Sequence, residues 1–269
     1  MTDVSVVVRA QDEAASIGRL LDLVRAQELD GRTIETIVVD SGSTDGTPDI
    51  ARARGARVIA IPPGSFTFGG ALNTGCEEAR GELVVALSAH AFPRDPAWLA
   101  RLLAVFEDPR VACASGELYA AEGGLLTERV VQDAEFLRRQ PYWGYSNAAG
   151  AFRAELWRQH PFRADLPGTE DKEWAHHWIE RGYVCVVDPE FSVDHDHSKD
   201  SLREQYVRSR REWHGSALYL DLPARGAGDI AREWWTDQAS YRSRLRARLS
   251  PRRVVRMLGM YTGLRRARS

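Results

Sequence analysis

Lysine is nearly absent from this chain: of 36 basic residues in 269, only Lys172 and Lys199 are lysine, an imbalance that fits GC-rich coding and carries no mechanism. Cysteine is sparse too. Cys76, Cys113 and Cys185 are odd in number, widely spaced and without a C-x-x-C pair, which argues against a disulfide framework or zinc site and for buried, reduced thiols. No apolar run approaches the length of a membrane span, and Met1-Thr2-Asp3 passes straight into Val4-Ser5-Val6-Val7-Val8 without a basic region or cleavage site. Cytoplasmic residence is therefore expected, with contact to the inner face of a membrane left open. Low complexity and a large charge excess are missing as well. With 43% hydrophobic residues and a formal charge of -2, the chain can bury one large core or two modest ones.

What is present is a dense series of strand, loop and helix signals, organised around Ile37-Val38-Val39-Asp40-Ser41-Gly42-Ser43-Thr44-Asp45-Gly46-Thr47-Pro48. The β-branched run predicts a strand buried on both faces, Asp40 opens a turn too polar to continue it, and Thr47 with Pro48 predicts a helix cap and first turn. A carboxylate is thereby delivered to the carboxyl end of a strand, where open α/β sheets bind ligands. Before it, Val4 to Val8 predicts a strand, followed by Arg9-Ala10-Gln11-Asp12-Glu13 and a helix with Ile17, Leu20, Leu21 and Val24 at helical spacing. After it come a short strand from Arg57 to Ile61, a glycine-rich passage Phe66-Thr67-Phe68-Gly69-Gly70 into a helix, and a strand from Leu83 to Leu87. This alternation implies a mainly parallel sheet flanked by helices. Asp95-Pro96 predicts a further helix start, Val111 to Ser115 and Val184 to Val187 predict strands, and Gly116 to Gln140 reads as an amphipathic helix. A last strand, Phe191 to His197, would place His195 and His197 on one face by two-residue alternation.

The stretch V-V-D-S-G-S-T-D-G-T resembles the nucleotide-binding signature of inverting family-2 glycosyltransferases, whose fold is GT-A. N-x-G at Asn73-Thr74-Gly75, A-x-G at Ala79-Arg80-Gly81 with the apolar strand after it, and G-x-E-D at Gly168-Thr169-Glu170-Asp171 follow in the family's order across roughly residues 4 to 215. The resemblance implies transfer of a sugar from a UDP-, GDP- or dTDP-linked donor to an acceptor hydroxyl on a glycan, a lipid-linked intermediate or a natural product. It implies donor contacts from Arg9, Gln11, Glu13, Asp40, Ser43, Asp45, Arg80 and Ala89, an acceptor over Trp143, Asn147 and Trp174, and Asp171 as general base oriented by Glu170. His176 and His177 are secondary candidates.

One departure stands out. Where the family carries a D-x-D metal signature, this chain reads Ser88-Ala89-His90, so a divalent cation, Mn²⁺ or Mg²⁺, would rely on His90 with His195 and His197. The same residues could be structural histidines at strand ends. A non-catalytic donor-binding protein is therefore one alternative. A sugar-nucleotide pyrophosphorylase is another, disfavoured because no glycine follows the first strand.

From Lys199 onward, 17 arginines and lysines face 7 acidic residues, a net of +10, which leaves -12 for residues 1–198. Residues 1–200 are accordingly expected to form the catalytic unit and 201–269 a basic helical extension. Arginines interleaved with Leu, Val, Met and Trp suit anionic lipid or a phosphorylated acceptor, and equally a helical cap docked on the acidic body. Nucleic-acid binding is not expected, since no matching motif accompanies the charge.

Overall fold

The computed structural model of the protein describes residues 2–29, 31–119, 125–195, 200–220, 222, 226–236 and 250–266. The apolar runs of the first third form β1 (Val4–Ala10), β2 (Ile34–Asp40), β3 (Arg57–Ala60) and β4 (Leu83–Ser88), joined by α1 (Ile17–Arg25), α2 (Thr47–Ala53) and α3 (Phe68–Glu77). β1 pairs in parallel with both β2 and β4, so the connection order reverses across it. Ligands of open α/β sheets sit at that switch point, outside the carboxyl ends of the strands.

The second half adds α4 (Trp98–Ala104), β5 (Val111–Ser115), β6 (Val130–Gln132), α5 (Ala134–Arg139), β7 (Ala149–Arg153), α6 (Ala154–Gln159), α7 (Glu170–Ile179) and β8 (Val184–Val187). One eight-stranded sheet results, in the order β3-β2-β1-β4-β7-β5-β8-β6, with β7 and β6 antiparallel to their neighbours. Side chains alternate across it. Val4, Val6 and Val8 pack with α1 and α4 on one face, while Val7, Ile37 and Val39 pack with α3, α6 and α7 on the other.

Two expectations fail here. Gly116 to Gln140 is not one helix: Val130–Gln132 pairs antiparallel with β8, burying Gln132 and exposing Val131, and among the described residues of this stretch only Ala134–Arg139 is helical, capped by Asp133. A vacant sheet edge overrides the local pattern. Phe191 to His195 is likewise not a strand. Pro189–Phe191 is a 3₁₀ turn, and Asp194 makes a single bridge to Phe92, so two-residue alternation does not place His195; His197 lies outside the described residues.

Beyond the sheet, α8 (Leu202–Tyr219) opens with a capping box between Ser201 and Glu204, α9 spans Ala227–Thr236 and α10 spans Pro251–Arg266. Glycines let these helices approach the rest. A Cβ on Gly215 would sit 2.1 Å from the Gly168 carbonyl oxygen, and one on Gly263 would sit 2.4 Å from the Arg210 carbonyl oxygen. Of the described part of the basic tail, α8 docks on the body at α7 and α10 stacks behind it. Among the described residues, no helix is long and apolar enough to cross a membrane.

Candidate active site

The loops after β1 and β2 are laced together at the carboxyl edge of the sheet. Asp12 N–H donates to Ser43 Oγ at 2.8 Å, Glu13 N–H to Thr47 Oγ1 at 2.7 Å, and Thr44 N–H to Asp12 Oδ1 at 2.8 Å. Asp45 is spent on the same lacing. One of its oxygens accepts from Thr47 and the other from Ala14 N–H, bonds that hold its pKa below the usual carboxylate value. Asp40 differs. It is buried, and Oδ2 accepts from the Gly42 and Ser43 amides at 3.2 and 3.1 Å, while buried Oδ1 has no partner. A buried carboxylate oxygen without a donor is costly, so this atom is ready for a donor supplied by a ligand.

α7 is preceded by its N-cap Thr169, a β-branched residue with φ of 67°, an unusual conformation that fixes where the helix begins. Glu170, Asp171 and Glu173 occupy its first turn, where the helix dipole favours negative charge. Successive helical residues point about 100° apart, so Glu170 and Asp171 separate. Glu170 turns inward, 4% exposed, and meets Arg9 at 3.3 Å. Arg9 also donates to the carbonyls of Phe68 and Asn147. Burial, then the adjacent Asp171 charge, raise the Glu170 pKa to about 7 against the pull of Arg9. Asp171 lines the cleft beside it, its Oδ2 accepting from Asn147 N–H at 3.1 Å and its Oδ1 from Lys172 N–H at 2.8 Å.

The cleft encloses about 680 Å³. At one end lie Ser88, His90 and His195. His90 Nδ1 is 2.7 Å from Glu13 Oε1, and its ring stacks on His195 with centroids 4.9 Å apart. Burial raises the Glu13 pKa, but the bonds from His90 and Ser16 outweigh it and leave the group lowered. No three His, Cys, Asp or Glu side chains among the described residues converge as a metal cage. What is there is a carboxylate-bound imidazole stacked on a second imidazole.

The other end is walled by α8, which contributes Arg208, Arg211, Glu212, Trp213 and Ser216. The Arg211 guanidinium lies 4.2 Å from the centre of the Phe68 ring, and its buried Nε makes no hydrogen bond. Burial lowers the Arg211 pKa. Trp213 packs on Tyr142 with centroids 4.8 Å apart.

Several expected site residues lie elsewhere. Arg80 is at the opposite end of the sheet, its N–H bound to Ser5 Oγ and Glu35 Oε1, because the A-x-G turn precedes β4 whereas the cleft follows it. Trp174 is fully buried with Nε1 donating to the His160 carbonyl, so it packs the core and cannot meet an acceptor. Trp143 stands against Phe136 and donates to the Tyr119 carbonyl, outside the cleft lining; the neighbouring Tyr142 lines it instead. Ala89 points into the core, Gln11 is exposed, and Asn147 is buried and meets Asp171 and Arg9 through its backbone. His177 stacks on His160 with centroids 3.6 Å apart, and buried His176 is pushed down to about 4 by desolvation; neither lines the cleft. Missed from the sequence were Tyr142, Lys172, Arg208, Arg211 and Trp213. The one available signal was the helical spacing of Arg208, Arg211 and Glu212.

A mixed α/β sheet whose cleft opens at the ends of β1 and β4 is the fold of the solved GT-A glycosyltransferases. A mannosyltransferase from Pyrobaculum calidifontis, in complex with GDP-Man and Mn²⁺, superposes with a TM-score of 0.69 at 19% identity over 98% of this chain and 86% of its own. Glucosyl-3-phosphoglycerate synthase from Mycobacterium tuberculosis, in complex with Mn²⁺, UDP and glucosyl-3-phosphoglycerate, gives 0.62 at 23% identity, covering 84% of this chain and 82% of its own. Residues 5–165 match glycosyl transferase family 2, and the chain belongs to that family. Among curated relatives, glycosyltransferase AglE of Haloferax volcanii is 32% identical over 132 residues, 47% of this chain and 43% of the relative. The glucosyl-3-phosphoglycerate synthase of Mycolicibacterium paratuberculosis is 34% identical over 152 residues, 48% of this chain and 45% of the relative. The chain thus spans about half the length of these curated relatives.

Proposed function

We propose that the protein transfers a sugar from a nucleoside diphosphate donor to an acceptor hydroxyl in one inverting displacement, with Asp171 as general base. The observation that carries this reading is a cleft-lining carboxylate, Asp171, held by two backbone amides, together with Asp40, which ends β2 opposite Ala10 of β1 and keeps a buried oxygen without a partner. Asp40 would receive a donor group from the nucleoside. Single displacement requires the acceptor hydroxyl to lose its proton as it attacks the anomeric carbon from the face opposite the diphosphate. The amides of Asn147 and Lys172 fix the Asp171 carboxylate without neutralising it, so a lone pair can take that proton. Glu170 and Arg9 form the floor and set where Asp171 points. Tyr142 and Trp213 offer aromatic faces to an acceptor sugar, and Lys172 and Arg211 favour an acceptor carrying negative charge.

His90 and His195 would hold a divalent cation, which supplies positive charge against the departing diphosphate. Their nitrogen donors, and the complexes of the two structural relatives with Mn²⁺, support Mn²⁺ over Mg²⁺. Ser88, in place of a carboxylate, supports a second reading, a donor-binding protein without turnover.

Thermal denaturation with UDP, GDP and dTDP, each with Mn²⁺, Mg²⁺ or chelator, tests donor binding, because a ligand selective for the native state raises its apparent stability. One nucleoside diphosphate should raise the midpoint, more so with Mn²⁺, and Asp40→Asn should abolish the rise. No response to any of the three would sink the donor assignment. Release of free sugar from the matching sugar nucleotide separates an enzyme from a mere binder.

A further inference from the structure

We infer that α10 seats this protein on an anionic lipid bilayer, one helix away from the acceptor end of the cleft. The helix Pro251–Arg266 contains Arg252, Arg253, Arg256, Arg265 and Arg266 and no acidic residue. Its inner side buries Arg253, Gly259, Met260, Gly263 and Leu264. The opposite side carries apolar residues in the open: Val254 is 38% and Leu258 is 51% exposed, one turn apart, with half-exposed Val255 beside them. Exposed Arg265 follows on the same side two turns further along, and exposed Arg252, Arg256 and Arg266 lie elsewhere around the helix. Aliphatic side chains among arginines are what a helix presents when it lies at the boundary between headgroups and acyl chains.

The acidic body of the protein is not what this face meets. α10 packs mainly on α8, and its contacts advance in step along both helices, Ser209 with Gly259 and then Trp213 and His214 with Gly263. The two helices therefore run parallel, with α8 between α10 and the cleft. The exposed side chains of α10 include four arginines and no carboxylate, a charge complementary to anionic lipid. A second copy of the chain is a poorer occupant. A helix of this length is about 24 Å long, and a stripe roughly 10 Å wide along it offers about a third of the ~800 Å² per partner that a stable dimer buries.

Trp213 joins the two sites. It lines the cleft on one side and packs against the Met260 and Leu264 cluster of α10 on the other. A molecule held in the bilayer would thus reach the cleft past α8 rather than from across the protein.

Flotation of the full chain with vesicles of phosphatidylcholine alone, or of phosphatidylcholine with phosphatidylglycerol, tests the inference. Binding should require phosphatidylglycerol and weaken as salt rises. Arg256→Gln with Arg265→Gln should weaken it by roughly fivefold for each arginine lost. Val254→Ser with Leu258→Ser, which leaves the charge unchanged, should reduce the binding that survives at high salt. Circular dichroism and the nucleoside diphosphate thermal shift, both unchanged in the variants, separate lost docking from lost fold or donor binding. Three results would overturn the inference: the chain staying unbound with phosphatidylglycerol vesicles, equal binding to both vesicle types, or a dimer by sedimentation velocity that Val254→Ser with Leu258→Ser converts to monomer.

Discussion

Replacing Glu170 by glutamine should remove a pH dependence of stability that no exposed carboxylate would produce. In the unfolded chain this carboxyl titrates at 4.5, and in the native protein burial first and the Asp171 charge second raise it to about 7. Between those values the folded protein holds a proton that the unfolded chain has released. The resulting stabilisation is fully present below pH 4.5 and is lost as pH rises through 7. At about 1.4 kcal/mol for each pKa unit, the change is on the order of 3 kcal/mol. Glutamine has the shape of the protonated acid and nothing to titrate. The attraction of Arg9 for the ionised carboxylate is already contained in the native value of about 7, so it adds no separate pH dependence. Urea denaturation of both proteins across pH, followed by fluorescence of Trp174 and Trp178 on α7, should show the variant gaining relative stability by about that amount as pH rises. Parallel curves for the two proteins would refute the placement of Glu170 in a dry pocket beside a second carboxylate.

Asp171→Asn should lower turnover by about 10²- to 10⁴-fold, the usual contribution of a positioned base, while leaving the thermal shift with a nucleoside diphosphate intact; near-normal turnover would remove Asp171 from the role. Buried His176 is held neutral by desolvation with its pKa near 4, against 6.5 when unfolded, so it costs stability as pH falls from 6.5 through 4. His176→Gln should resist acid better, and an unchanged acid limb in a denaturation series would count against its burial. Gly215→Ala would place a methyl 2.1 Å from the Gly168 carbonyl. It should destabilise the protein by about 1–3 kcal/mol, and a wild-type urea midpoint would show that α8 does not sit against α7.

The parallel half of the fold was legible because its strands are short β-branched runs ending in polar turns, and its helices repeat apolar residues at helical spacing. Asp40, Asp171 and the Glu170 beside it could be read the same way, since the chain itself puts them at a strand end and a helix start. Which of two adjacent aromatics faces a cleft could not. Tyr142 and Trp143 differ by one position, and Gly144, with a φ of 130°, turns the backbone just after them. Val130–Gln132 looked helical because its sheet partner, β8, comes more than fifty residues later in the chain. Arg80 was drawn to the site by its motif, although the turn it occupies belongs to the amino end of β4. Arg208, Arg211 and Trp213 were set apart with the basic tail on grounds of charge. Only the close approach of Gly215 to Gly168 reveals that this helix closes the cleft.

That approach ties the start of α7 to everything stacked behind it. Gly168 touches α8, Thr169 holds its left-handed turn, and Asp171 follows two residues later, while Gly259 and Gly263 fix α10 against the far side of α8. These contacts form a lever with its short arm at Asp171. Bulk added at Gly263 would reach that carboxylate as displacement rather than as charge, so under the proposed function reduced turnover is expected from a position two helices away from the cleft lining.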